Sequence, residues 1–577
     1  MKNVRNKATV YDAGCEIEVS KSGFSKGYGI KDDAFSTCKT RLFFVMSIFL
    51  FVFVVLTIRV FDVCLSNQFN ISHKTIEEKH LAYLNKNPIK RADIVDRNGI
   101  VLATSLPTVN LYANPSKILN AKETAIKLSA VLPDMLYEDI LEKLQRKSKF
   151  IYLKRNLTPS QQYQINALGI PGLDFEDVEK RVYPHSSLLS HLLGTTNIDN
   201  KGVQGLERFL DERLQKSDIP LELSIDAGIQ DTIRTELYAG VKKFSALGGT
   251  AILMDVKTAE VISMVSLPDF DPNNNNQSAK NKFNFATSGV YEPGSVLKVF
   301  NAALGLESGE IKMSDSFDAT KPIKLKYNTI KDYRGENRVL SLQEVLVYSS
   351  NIGSAHIGLK VGKKAQQKFM KKIGFLDKID IETFERQSPI TPRRWEEETV
   401  ATISYGYGIS LTPMHLITAF SAVVNGGIYN NPSFIKKTNL SEGKRIISED
   451  TSKKMRQLLR GVVVDGSGKG ANVRGYEIAG KTGTANKLVD GKYINGKVMT
   501  SFLSTFPASN PKYALFVMLD EPKATKDTWG FVTSGWNTVP TTRKIIEAIA
   551  PQLNIQANEE LLEDSSKRII EVSYQKK

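Results

Sequence analysis

Residues 291–306 read YEPGSVLKVFNAALGL, and this stretch decides how the rest of the chain is understood. Pro293-Gly294 is a helix-start signal. From Ser295 onward the run is apolar almost all round, which marks a buried helix. A lone lysine inside such a helix is costly unless it is used. Lys298 stands three residues after Ser295, one turn along on the same face. Burial and neighbouring cations lower the pKa of an amine so placed, which lets it take the serine proton. The helix N-terminus also favours negative charge beside Ser295. The plainer alternative is a capping serine followed by a snorkelling lysine.

Ser-x-x-Lys alone discriminates little, because it recurs, for instance at Ser36, Ser441 and Ser509. Ser36 precedes an apolar span, and Gly443 and Pro511 inside the other two copies mark loops. Two more short motifs follow Ser295. Ser349-Ser350-Asn351 is by itself a turn or cap signal. Lys481-Thr482-Gly483-Thr484 precedes the strand-like run Met499–Thr505. A glycine in an edge strand lets a ligand backbone approach closely, and the threonine hydroxyls with Lys481 have the chemistry to hold a carboxylate. Gly475–Thr482, GYEIAGKT, is also a formal match to the Walker A pattern of nucleotide-binding proteins. A phosphate loop needs a buried strand before it and a helix after it. Here polar SGKGANVR precedes and turn-like DGKYING follows, so nucleotide binding is not expected.

Around these motifs the chain divides. Arg91–Ala103, RADIVDRNGIVLA, reads as a β-hairpin about the Asn98-Gly99 turn. Residues 115–170 carry helical periodicity, the stretch from Arg181 to Glu207 is turn-rich, and Asp226 is a cap opening a helix. Thr250–Val256 and Val261–Ser266 read as a second hairpin, followed by a polar loop at Asn273–Asn276 to which no chemistry is assigned. Met499–Thr505 and Tyr513–Leu519 read as strands and Thr541–Ala550 as a closing helix. Strands at both ends with helices between predict an α/β domain whose central sheet joins distant segments.

Leu42–Ile58, LFFVMSIFLFVFVVLTI, is an uncharged run bracketed by Arg41 and Arg59, the lower limit for a membrane-spanning helix. A buried core helix is the alternative. A cleaved signal peptide fits poorly, because the preceding stretch is long and no small-x-small site follows. Cys64 is not a lipoprotein site, since Phe61, Asp62 and Val63 are not small. Lys26, Lys31, Lys39 and Arg41 before the span outweigh Arg59 and Lys74 after it, which predicts a cytoplasmic N-terminus. All 3 cysteines (Cys15, Cys38, Cys64) lie at or before the exit of the span, as suits a body in an oxidising compartment.

The whole chain is 577 residues with 41% hydrophobic and 24% charged residues, Gly 39 and Pro 21. That composition excludes collagen-like and low-complexity classes and predicts two to four folded units. Three cysteines make no disulfide scaffold. The net charge of +15 is spread without a basic block. No zinc-finger, RNP or helix-turn-helix signature accompanies it, so an anionic membrane surface or polymer is expected rather than nucleic acid.

The order Ser-x-x-Lys, Ser-x-Asn, Lys-Thr-Gly is the signature of penicillin-binding proteins and class A β-lactamases. With RADIVDRNGIVLA, RVYPHSSLLSHLLG, GVQGLE, YEPGSVLK, SYGYGISLTPMHL, NGGIY and GYEIAGKTGTA, the chain resembles a class B penicillin-binding protein, a monofunctional peptidoglycan D,D-transpeptidase, from the span to about residue 550. Ala92 and Phe285 depart from the usual glycine and arginine, which touches only local packing.

The resemblance implies an α/β (α+β) transpeptidase domain, its central antiparallel sheet flanked by helices, at 226–553. It implies an elongated pedestal (dimerisation-like) domain at 59–225, a transmembrane helix at 42–58, a cytoplasmic tail at 1–41 and a charged C-terminal tail at 554–577. For the site it implies that Ser295 is acylated with Lys298 as base, and that Ser349 relays the proton to the leaving D-Ala, assisted by Lys481. Asn351 holds the donor amide, and Thr482, Gly483 and Thr484 bind substrate. The backbone N–H groups of Ser295 and Thr484 form the oxyanion hole. No metal, cofactor or nucleic acid is expected. Stem peptides, β-lactams, the inner membrane, a polytopic glycan polymerase and other divisome proteins are the expected partners, with the catalytic domain periplasmic.

GYEIAGKTGTANK and WGFVTSGWNTVPTT resemble the septal, penicillin-binding protein 3 type of Gram-negative bacteria, with an elongation-specific enzyme as the alternative. A β-lactamase or β-lactam sensor shares the trio, but no convincing Glu-x-x-x-Asn-type deacylating segment occurs in residues 352–480. A scaffold with a dead site is disfavoured by the intact side chains.

Overall fold

The computed structural model describes residues 8–12, 15–19, 43–60, 91–274, 278–438, 443–489 and 492–558. They fall into two compact units, Met1–Pro88 and Ile89–Lys577. In the first, strands β1 (Ala8–Asp12) and β2 (Cys15–Val19) pair antiparallel, a hairpin the sequence reading did not foresee. Helix α1 (Phe43–Val60) has a mean hydropathy of 2.6, and its phenylalanines are exposed on all sides. Among the described residues it is the one helix long and apolar enough to cross a membrane. Residues 61–90, the first part of the expected pedestal, and all but the first residues of the C-terminal tail lie outside the described residues, as do Cys38 and Cys64.

The second unit begins with the expected hairpin. β3 (Ile94–Val95) pairs with the start of β4 (Val101–Ala113). The Asp96 carboxylate accepts from Asn98 N and Ile100 N at 2.8 Å each, and Gly99 takes φ +87° in the turn. β4 runs on to pair with β5 (Ile151–Leu157) and β6 (Leu173–Val182). Helices α2 (Ala121–Val131), α3 (Tyr137–Gln145) and α4 (Pro159–Ala167) pack Leu128, Ile140, Leu144 and Ile165 against Val109, Leu111, Leu153 and Leu157. The stretch 115–170 is therefore not all helix, since β5 interrupts it.

Three of the quoted motifs meet in one buried ion cluster. Arg91, 1% exposed, donates to Glu207 at 2.7 Å and to Asp211 at 2.7 Å, while Arg181 Nε donates to the other Glu207 oxygen at 2.7 Å. A carboxylate with no exposure survives only because two guanidiniums neutralise it and satisfy its lone pairs. The hairpin also reaches forward. Asp96 accepts from Ala227 N, and Asn98 donates to Asp226, which caps helix α5 (Ala227–Lys243) through Ile229 N at 3.0 Å. A short strand, β7 (Leu221–Glu222), pairs parallel with β3 and adds to this seam.

The rest of this unit is built on an antiparallel sheet of five strands: β8 (Gly248–Asp255), β9 (Val261–Leu267), β10 (Ala479–Val489), β11 (Lys492–Phe506) and β12 (Tyr513–Asp520). Their order is β10-β11-β12-β8-β9, so the first and last parts of the domain interleave. Both faces of β8, β9, β12 and the Val498–Phe506 part of β11 are covered, and β8, β9 and β12 accordingly read as apolar runs. Ala251 and Leu253 face α5 and a C-terminal helix, α11 (Thr538–Ile549), on one side. Ile252 and Met254 face the central helices on the other. Those helices include α6 (Leu297–Ser308), α7 (Asn351–Val361), α8 (Glu397–Ser404), α9 (Pro413–Val424) and α10 (Glu449–Val464). A buried polar thread ties three of them: Asn301 Nδ2 donates to Ser354 O at 2.9 Å, and Ser354 Oγ to Ser404 O at 2.6 Å. The two departures from the family pattern are absorbed by packing: Ala92 is buried, and Phe285 stacks on Tyr291 with ring centroids 6.5 Å apart.

Candidate active site

Ser295 sits on a 3-10 turn, Gly294–Val296, two residues before α6 begins at Leu297. Ser295 therefore lies at the helix mouth rather than in the helix itself. Gly294 takes φ +56°, and a Cβ there would come within 2.8 Å of the Thr484 carbonyl oxygen. Gly294 N donates to Gly406 O, and a Cβ on Gly406, at φ +101°, would stand 1.8 Å from Gly294 O. Only glycine fits at either place. The nucleophile turn is thus held between the Gly406 loop and edge strand β10.

Lys298, 1% exposed, has its Nζ 3.0 Å from Ser295 Oγ, 2.5 Å from Ser349 O, 3.1 Å from Ser349 Oγ and 2.8 Å from Asn351 Oδ1. An ammonium has three protons and no lone pair. A neutral amine donates to Ser349 O and Asn351 Oδ1 and turns its lone pair to the Ser295 hydroxyl. Burial first, then the charge of Lys481, hold this amine well below the ordinary lysine range, against an upward pull from Asp332. Both burial and the Lys481 charge therefore favour the neutral form of this amine, the form able to accept a proton from the hydroxyl 3.0 Å away.

Ser349 precedes α7 with φ +58°, a strained conformation for a non-glycine residue. That backbone puts its Oγ between the two lysines, 3.1 Å from Lys298 Nζ and 3.0 Å from Lys481 Nζ. Lys481 lies on the expected edge strand, but its side chain is fully buried, and burial brings its pKa down to about 7. Its other contacts are Thr482 O at 3.2 Å and Thr482 Oγ1 at 3.3 Å. These three oxygens can accept the three protons of a charged Lys481. The structure brings together Ser295, Lys298, Ser349, Asn351 and Lys481, with Thr482, Gly483 and Thr484 along β10. A Cβ on Gly483 would lie 2.5 Å from Ser501 Oγ and 2.8 Å from Val296 Cγ2, so this glycine lets the strand close on the nucleophile turn. No helix follows Gly475–Thr482; β10 begins at Ala479 and includes Lys481 and Thr482. A phosphate loop is not formed.

Two carboxylates that brace the site were not legible in the sequence. Asp332 accepts from Ser350 Oγ at 2.7 Å, from Asn351 N, and from Ile352 N at 3.0 Å, holding the Ser-x-Asn corner in place. Glu292 accepts from Gly408 N at 2.8 Å and from Tyr493 OH at 2.9 Å. Both have oxygens engaged by backbone N–H and hydroxyl donors. Asp332 lies in polar KDYRGEN, which carries no motif; Glu292 was visible only as part of YEPGS. Among the described residues no cluster of His, Cys, Asp and Glu could hold a metal.

The family model described as the penicillin binding protein transpeptidase domain matches residues 249–535, and the penicillin-binding protein dimerisation domain matches 86–220. The chain is 36% identical over 489 residues to a probable peptidoglycan D,D-transpeptidase FtsI of Caulobacter vibrioides, covering 82% of this chain and 83% of the relative. It is 29% identical over 502 residues to peptidoglycan D,D-transpeptidase FtsI of Escherichia coli (81% and 84%). It is 30% identical over 493 residues to a probable peptidoglycan D,D-transpeptidase PenA of Neisseria meningitidis (80% and 84%). In fold it is similar to the crystal structure of a peptidoglycan synthetase from Bifidobacterium adolescentis, with TM-score 0.65 at 22% identity, covering 82% of this chain and 96% of that one. A serine 3.0 Å from a buried amine, on this sheet and beside these motifs, agrees with those matches, and the chain belongs to the class B penicillin-binding proteins, the peptidoglycan D,D-transpeptidases.

Proposed function

We propose that this chain cross-links peptidoglycan stem peptides at the division septum through a Ser295 acyl-enzyme, and that β-lactams acylate the same serine. The observation that carries the mechanism is the Lys298 amine, buried, held well below the ordinary lysine range by that burial, and 3.0 Å from Ser295 Oγ. Lys298 takes the hydroxyl proton as Ser295 Oγ attacks the penultimate D-Ala carbonyl. The oxyanion meets the backbone N–H groups of Ser295 and Thr484. Ser349 Oγ, between both lysines, passes a proton to the departing D-Ala nitrogen. Asn351 holds the donor amide, and Thr482 and Thr484 its carboxylate, on a strand that Gly483 lets close. A second stem-peptide amine then takes the acyl group, and serine is regenerated. The D-Ala–D-Ala bond supplies the energy, so no cofactor is required.

The septal assignment rests on the likeness to the FtsI proteins. We place residues 1–41 in the cytoplasm, the span at 42–58 in the inner membrane, a pedestal at 59–225 and the transpeptidase domain at 226–553 in the periplasm. The pedestal is read as the contact for a polytopic glycan polymerase and other divisome proteins. Purified chain given a D-Ala–D-Ala donor and an amine acceptor is expected to release D-Ala with ping-pong kinetics. A fluorescent fusion is expected at midcell; recruitment to the lateral wall instead assigns the chain to elongation.

A further inference from the structure

We propose that Ser467 is a further substrate-binding residue, its hydroxyl completing with Thr482 and Thr484 a cradle for the donor's terminal carboxylate. The proposal rests on the transpeptidase reading above and deepens it. Ser467 lies between α10 and β10, in a turn fixed by its neighbours. Gly466 N and Gly468 N both donate to Val462 O at 3.1 Å. A Cβ on Gly466 would stand 2.7 Å from the Val347 carbonyl oxygen. The Ser467 hydroxyl is therefore presented on a held turn, with its Oγ 2.7 Å from Thr482 Oγ1.

Thr482 and Thr484 alternate along β10 and so share one face of the strand. The turn at Ser534-Gly535 closes the other side: Ser534 N donates to Thr484 Oγ1 at 3.1 Å, and a Cβ on Gly535 would lie 3.3 Å from Ser467 O. Of the three hydroxyl residues, Thr482 is buried, Thr484 half-buried and Ser467 exposed.

The proton count sets what this group binds. Lys481 Nζ only donates, and Thr482 Oγ1 receives a 3.3 Å bond from it. The Ser467 and Thr482 hydroxyls hold two protons between them and spend one on their mutual 2.7 Å bond, whichever donates, so one proton of the pair is left for an acceptor in the cleft. Thr484 Oγ1 accepts from Ser534 N, which frees the Thr484 proton as well. A line of donors running out from a buried amine fits an anion with two oxygens, and hydrogen bonds to a charged acceptor are the strong ones.

The test is stopped-flow acylation of the full chain in detergent by benzylpenicillin and by its methyl ester, which lacks the carboxylate charge. Ser467→Ala is expected to slow acylation by benzylpenicillin about tenfold or more, and acylation by the ester less than about twofold. Ser467→Thr, which keeps the hydroxyl, is expected to restore the rate with benzylpenicillin. If Ser467→Ala fails to fold, Ser467→Gly is the second deletion of the hydroxyl. An equal loss with both compounds means that Ser467 acts through the fold or Lys481, and overturns the proposal, as does no loss with either. A wild-type chain that benzylpenicillin does not acylate at Ser295 overturns the transpeptidase reading itself, and this proposal with it; the other outcomes leave that reading intact.

Discussion

Replacing Lys298 by Met isolates the base. The side chain is 1% exposed, and methionine fills a similar unbranched volume without the amine. Ser295 then keeps its turn, because Gly294 and Gly406 hold it rather than Lys298. Ser349 Oγ keeps its contact with Lys481 at 3.0 Å. What is lost is the proton acceptor 3.0 Å from Ser295 Oγ. General base catalysis is worth about 10²–10⁴-fold, or roughly 3–5 kcal/mol of barrier, so the acylation rate constant should fall by that factor while the binding constant of a β-lactam changes little.

Stability is closer to balance in this variant. Methionine strands Ser349 O and Asn351 Oδ1, at about 1–3 kcal/mol per unmet acceptor. Against that, it removes an amine whose charged form burial disfavours. A small melting shift is expected beside a large kinetic one. Stopped-flow acylation across drug concentrations, with a melting curve, separates the two. Acylation of Lys298→Met at the wild-type rate refutes Lys298 as the base.

Lys481 makes a prediction about pH. Its amine has a pKa of about 7 folded against an ordinary 10.5, so between those values the unfolded chain binds the extra proton and stability rises with pH. Burying the charge costs several kcal/mol below about pH 7, a penalty that fades toward pH 10.5. Lys481→Met should remove about 1.4 kcal/mol per pH unit from the slope of unfolding free energy between pH 7.5 and 9.5, read by urea melts; an unchanged slope contradicts the assigned shift. Glu207→Gln leaves the Arg91 and Arg181 guanidiniums buried without their carboxylate and should destabilise the pedestal by about 3–5 kcal/mol, seen in denaturant unfolding; a change under 1 kcal/mol would show that the cluster contributes little. Gly483→Ala places a Cβ 2.5 Å from Ser501 Oγ and 2.8 Å from Val296 Cγ2, so the strand lifts from the nucleophile turn and acylation should fall at least tenfold, whereas wild-type kinetics would mean the contact yields freely.

What the sequence disclosed, and what it hid, follows from how far each signal reaches along the chain. The strands β8, β9, β12 and the Met499–Thr505 part of β11 were legible because they are buried; the start of β11, read as turn-like DGKYING, is polar and exposed and is a strand from Lys492 only by its pairing with β10. Ser295 and Lys298 were legible because residues three apart stay on one side of a 3-10 turn that runs into an α-helix, whatever the tertiary fold. β5, IYLKRNL, and β6, LDFEDVEKRV, were not, because their faces are largely polar and half-exposed, and only pairing with β4 makes them strands. Asp332 and Ser467 were hidden for a related reason. Each acts on a motif some 15 to 20 residues away along the chain, and neither lies within a periodic pattern. The burial of Lys481 was equally out of reach: an edge strand reads as accessible, and only α10 and the Ser-x-Asn corner packed beneath it close it off.

The central claim is that Ser295, activated by a neutral Lys298, forms the acyl-enzyme. The most direct measurement is to expose the purified full chain to fluorescent penicillin, digest it, and locate the adduct by mass spectrometry while following its lifetime. The account predicts one adduct, on Ser295, persisting for many minutes because the flanking carboxylates Asp332 and Glu292 are engaged by their own donors. An adduct on another serine, or rapid release of hydrolysed drug, contradicts it.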